Sequence, residues 1–138
     1  MPDDRIGPPG DGQPLQIPLA GGECYNELLD ETVDPPAHRF EVVDCATPHD
    51  AEVFSATTLV AAPGAPFPGD QAVSREANRR CLAEFEPYVG REYALSGLRL
   101  GTMRPVTKTW AAGDRNVVCS LFDADLRPLV GSVRGSAR

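Results

Sequence analysis

Aromatic side chains are scarce in this chain, at 7% of 138 residues with a single tryptophan. An apolar fraction of 41% is enough for one modest core and argues for one domain. No apolar run approaches the roughly 18 residues that a membrane-spanning helix needs. Basic residues are also few: 13 Lys and Arg against 20 Asp and Glu leave a net charge of -7. That balance argues against nucleic acid, anionic lipid or any polyanion as the main partner. Met1 leads straight into Pro2-Asp3-Asp4-Arg5, which is no signal peptide. Export of this domain therefore calls for a signal or membrane anchor beyond these residues.

Catalytic and cofactor motifs are missing too. No Gly-x-Ser-x-Gly elbow presents a serine, and Gly10-Asp11-Gly12 lies in a proline-rich stretch with no strand before it and no helix behind it. Glu84, Glu86, Asp123 and Asp125 could in principle pair for glycoside hydrolysis, but no apolar setting singles one out. Asp123-Ala124-Asp125 lacks the continued oxygen-ligand pattern of a calcium loop.

What the chain does have is four cysteines, Cys24, Cys45, Cys81 and Cys119, widely spaced and with no CxxC pair. An even, spread-out set fits two structural disulfides in an oxidising compartment better than a redox motif. A zinc set of Cys24, Cys45, His38 and His49 lacks the paired-cysteine and paired-histidine spacing of structural sites, so no metal and no cofactor is expected.

Residues 1–20 read as a proline- and glycine-rich tether, 21–134 as the folded domain and 135–138 as a tail. Cys24–Leu29 is either a short strand or one helical turn. His38–Cys45 alternates as a strand, and Ala51–Val60 reads as a second strand pairing antiparallel with it. Val73, Ala77, Cys81 and Phe85 recur every four residues, which predicts a helix from about Asp70 to Glu86, capped by Asp70 or Ser74 and ended by Pro87. Leu98–Met103, Asn116–Phe122 and Leu129–Val133 are strand-like, and Trp110–Arg115 reads as a turn. The sum is an α+β domain: a small antiparallel sheet of four to five strands covered by one main helix.

Several of these segments carry a family resemblance. Cys24-Tyr25-Asn26, Val42-Val43-Asp44-Cys45 and Pro48-His49-Asp50-Ala51-Glu52-Val53-Phe54 resemble the opening of the actinobacterial septum formation domain. Phe67-Pro68-Gly69 before the helix with Cys81 is similar to its second half, as are Trp110, Gly113-Asp114-Arg115 and Cys119. Gly22-Glu23 stands where that family has Gly-Asp before the first cysteine, a change that conserves charge. The resemblance implies an extracytoplasmic domain behind a transmembrane helix or lipoprotein anchor, and no established enzymatic activity.

Cys24–Cys45 would tie the N-terminal segment to the first strand, and Cys81–Cys119 would clamp the helix to a central strand. Four cysteines allow three pairings, and the sequence leaves the other two open. Loops of about 20 and about 40 residues closed in this way stabilise by roughly 3–4 kcal/mol each on the chain-entropy account. His49, Asp50, Glu52, Trp110, Asp114 and Arg115 are candidates for a binding surface or for structural turns. The reading that follows is a non-enzymatic domain whose loops at His49 and Trp110 meet a protein or cell-wall component. The alternative is a small wall hydrolase using His49 with a carboxylate, and Ser55 as nucleophile.

Overall fold

The computed structural model describes residues 3–6, 19–34 and 36–138. Its elements are β1 (Asp3–Ile6), β2 (Cys24–Asp30), β3 (Ala37–Val43), β4 (Ala51–Thr58), α1 (Asp70–Val89), β5 (Leu98–Met103), α2 (Thr107–Ala111) and β6 (Asn116–Asp123). The strands form one antiparallel sheet in the order β1-β3-β2-β4-β6-β5. The α+β class is thus observed, with α1 as the main helix. Five strands, β2 to β6, make the body of the sheet, and β1 adds a sixth at its edge against β3.

Two expectations about the N-terminal half change. Asp3–Ile6 belongs to the sheet and not to a tether, and Leu19 is buried with Tyr25 and Phe40. The rest of the expected tether, 7–18, lies outside the described residues. Cys24–Leu29 proves to be strand, and it is β2, not β4, that pairs along the whole of β3, from Cys24↔Val43 to Asp30↔Ala37. β4 meets β2 only at Cys24↔Glu52 and Tyr25↔Ala51 before running on along β6. The turn at Thr47–Asp50 is held to Leu129 by a two-way backbone bridge, which turns the chain away from β3. That bridge is also all that becomes of the strand expected at Leu129–Val133.

The sheet is apolar on both faces. α1 lays Ala77, Cys81, Phe85 and Val89 against Val117, Cys119 and Leu121 of β6 and Leu98 of β5, and Val73 is buried on the same stripe. On the opposite face Tyr25, Phe40, Ala51, Val53 and Val118 form a second cluster. β6 therefore reads as a continuous apolar run, because both faces of a central strand are covered.

α1 is longer at its C-terminal end than expected, and neither proposed side chain caps it. Gly69 holds the N-cap position without a side-chain bond, and Asp70 pairs with Arg104 at 3.1 Å. Pro87 sits inside the last turn. It removes the N–H that would bond the carbonyl of Ala83, and both residues are exposed, on the solvent side of the helix. The helix ends at Gly90, whose left-handed φ of 89° suits glycine and whose N–H bonds the Glu86 carbonyl at 2.8 Å. On the solvent side Glu76 holds Arg80 at 2.9 Å, the expected i,i+4 pair.

Both disulfides form in the preferred pairing, Cys24–Cys45 and Cys81–Cys119. The first ties the start of β2 to the end of β3. The second bolts α1 to β6.

Candidate functional site

The strongest concentration of buried polar chemistry lies where β4, α1 and the C-terminal segment meet. Glu52 is placed there by strand alternation, facing α1 in the position before Val53 turns to the other face. It has no solvent exposure. A bare carboxylate in such a place would be strongly unfavourable, so its oxygens must be satisfied. They are. Oε2 accepts the Tyr88 hydroxyl and the Ser132 hydroxyl, the latter at 2.8 Å, and Oε1 accepts the Val133 N–H at 3.0 Å. Partial burial and the adjacent carboxylate push the Tyr88 phenol up to about 12. One carboxylate thereby fastens the sheet, the helix and the chain near its C-terminus together.

His49 enters the same corner from the Thr47–Asp50 turn. It is 1% exposed, and its Nδ1 lies 2.8 Å from the Thr47 carbonyl. A carbonyl only accepts, so Nδ1 carries a proton and donates it. Nε2 is left buried with no hydrogen-bond partner among the described residues. A His49 ring nitrogen, Cys24 Sγ and a Glu52 oxygen all lie within 4.8 Å of one another. His38 takes no part. It sits in an exposed pair with Glu27 at 3.1 Å, so the Cys2His2 set considered from the sequence is not assembled. Asp50 is exposed, and its N–H bonds the Asn26 side chain at 2.9 Å.

The surface role expected for the His49 and Trp110 loops meets two buried side chains. Trp110 is 6% exposed; its indole N–H bonds the Ala65 carbonyl at 2.8 Å and Phe67 meets its ring edge-on. The Arg115 guanidinium stacks 3.5 Å from the Trp110 ring centroid. The stretch read as a turn begins in the short helix α2, because Trp110 must face inward to pin the proline-rich loop. Asp114 is buried and spends its carboxylate on the Asn116 N–H at 2.9 Å, while Arg115 bonds the Trp110 and Asp114 carbonyls. These two side chains serve the backbone, not each other.

A real concavity lies elsewhere, across the sheet face away from the main helix core and round the β5 edge to Ser74 and Asn78 of α1. It is an open groove of about 1110 Å³ whose lining includes Tyr25, Phe40, Met103 and Phe122, with His38 and Asp50 among its polar members. Residue alternation could have found its apolar lining in advance, because Phe40 and Val42 already pointed to one face. Glu52, Tyr88 and Ser132 as a unit could not be found that way, since they come from three distant segments.

Among the described residues no helix is long and apolar enough to cross a membrane. A protein-family model described as septum formation matches residues 21–138. The "Putative lipoprotein LppN" of Mycobacterium tuberculosis is 33% identical over 125 residues, spanning 86% of this chain. The protein of the same name in Mycobacterium bovis gives the same figures. The chain spans 63% of the length of these curated relatives. No solved structure matches the chain.

Proposed function

Because the chain belongs to the septum formation family, we propose that it is a non-enzymatic, extracytoplasmic domain of the cell envelope that binds a protein partner. Its two disulfides and a relative named as a lipoprotein support the envelope location and a membrane anchor on the native protein. Neither the family description nor the relatives' names indicate an enzymatic activity.

The groove is the observation that carries the binding role. Half-buried Met103 and Phe122 in its floor, with Glu27, Asp50, Arg104 and Arg127 among its polar lining, suit a protein segment that carries both apolar and charged side chains. A sugar would need an open aromatic ring face to stack on. Tyr25 and Phe40 are each 3% exposed and meet each other edge-on at 5.7 Å, so neither offers one, and a single half-buried ring, Phe122, remains among the lining residues. The hydrolase alternative loses its motive, because His49 is closed from solvent and bonded to backbone.

A photo-crosslinking amino acid at Glu27, exposed on the groove face opposite Phe40, tests this in cells that export the protein. A discrete protein adduct from position 27, and none from Ala83 on the outer side of α1, is the expected result. Equal labelling from both positions, or none from the groove, refutes the assignment.

A further inference from the structure

We propose that the Cys24–Cys45 disulfide closes a zinc site, and that its two-electron reduction lets Cys24, Cys45, His49 and Glu52 hold one Zn²⁺. The inference is independent of the groove and stands on four observations in one corner of the sheet.

The first is placement. Sγ of Cys24, a ring nitrogen of His49 and a carboxylate oxygen of Glu52 already lie within 4.8 Å of one another. Ligands around tetrahedral zinc sit about 2.0–2.3 Å from the metal, hence about 3.3–3.8 Å apart, so shifts of about 1 Å bring these three into range. Cys45 lies outside this group of three but is bonded to Cys24, so it becomes the fourth ligand by rotating its side chain once the bond is cut.

The second is His49 itself. Its Nδ1–H is committed to the Thr47 carbonyl at 2.8 Å, which leaves the lone pair on Nε2. Metal-bound histidines are oriented by just such a bond from the other ring nitrogen. Nε2 is the buried side-chain nitrogen without a partner among the described residues, and a buried acceptor left unmet is unfavourable. A metal ion would meet it.

The third is the orientation of Glu52. Hydrogen bonds from Tyr88, Ser132 and the Val133 N–H hold the carboxylate in place, with Oε1 3.5 Å from Cys24 Sγ. Those donors are the outer shell that a ligating carboxylate requires. Two thiolates, an imidazole and a carboxylate form a donor set suited to zinc.

The fourth is access. Cys24 is fully buried but Cys45 is partly exposed, so an incoming dithiol approaches the bond from the Cys45 side. Attack there forms a mixed disulfide and releases Cys24 as thiolate beside His49. The second thiol of the reductant then displaces Cys45, so the dithiol leaves as a disulfide and both cysteines are thiols. Zinc binding displaces their two protons and forms two Zn–S bonds. Cys81 and Cys119 have no exposure, so the core clamp stays closed during this exchange.

The test uses the whole chain, reduced with dithiothreitol, desalted without oxygen and titrated with Co²⁺ as a spectroscopic stand-in for zinc. The expected result is two free thiols, one Co²⁺ per chain with sulfur-to-cobalt charge-transfer absorption, and displacement of cobalt by Zn²⁺. The oxidised protein should bind none. His49→Gln should weaken binding by at least about tenfold while leaving the thiol count and circular dichroism unchanged. Cys45→Ala, whose Cys24 is free without any reductant, should give the sulfur-to-cobalt band directly. Reduced protein that takes up no Co²⁺, that unfolds, or that binds equally well as the folded His49→Gln variant overturns the proposal. So does a folded Cys45→Ala protein without the band.

Discussion

The two disulfides are the same bond in opposite settings. Cys81–Cys119 joins the buried stripe of α1 to the central strand β6, among Phe85, Val117 and Leu121, with both sulfurs closed from solvent. Cys24–Cys45 sits at the end of the β2–β3 ladder, with one sulfur against Glu52 and the other partly exposed. The first bridge is surrounded by hydrocarbon and can only pack. The second is surrounded by polar groups that donate and accept hydrogen bonds. A cysteine count is blind to that difference, which lies entirely in the neighbours.

Breaking the core clamp should have the largest effect. Cys81→Ala with Cys119→Ala opens a loop of sequence separation 38 and should cost about 4 kcal/mol, read by urea unfolding. Cys24→Ala with Cys45→Ala opens one of separation 21 and should cost about 3 kcal/mol in the same assay. A reversed order would mean that the corner, not the core, holds the domain together.

Glu52→Leu sharpens the contrast from the polar side. It strands the Tyr88 and Ser132 hydroxyls and the Val133 N–H, and should cost about 2–3 kcal/mol. Glu52→Gln keeps an acceptor oxygen and should cost about half as much. If leucine is tolerated as well as glutamine, the three donors do not depend on the carboxylate.

Alkaline titration separates the two regions again. The folded Tyr88 phenol is raised to about 12 from its ordinary value of 10.0, so the folded state holds that proton more tightly than the unfolded chain does. Its contribution is complete below pH 10 and is lost as pH rises through 12. Tyr88→Phe should flatten that decline in chemical-denaturation curves. Exposure of the ring makes the effect modest.

The smallest effect belongs to the outer face of the helix that carries Cys81. Arg79 and Arg80 lower the Glu76 carboxyl from 4.5 to about 2, so its stabilisation is present above pH 4.5 and is lost as pH falls through 2. The group is solvated, and Glu76→Gln should barely move the thermal midpoint at neutral pH.

Local periodicity determined a good deal of this protein in advance. The four-residue recurrence of Val73, Ala77, Cys81 and Phe85 specifies a helix and its buried face, because only a helix stacks those positions. The same stripe carries Cys81 to the core, and the alternation at Phe40 and Val42 specifies a strand. One helix pattern among several strand patterns carried the α+β class, and the segments around the cysteines, His49 and Trp110 carried the family. Tertiary structure alone decided the rest. Which strand lies beside β3, whether Leu129–Val133 joins the sheet, and how far α1 runs past Pro87 depend on partners distant in the chain. For Trp110 and His49 the sequence left a surface role and a structural turn both open, and the distant or turn carbonyls they bond, Ala65 and Thr47, draw both side chains inward. Glu52 is the clearest case. Its sequence neighbours mark it as an ordinary strand glutamate, and only the arrival of Tyr88, Ser132 and Val133 from 36, 80 and 81 residues away makes its burial possible.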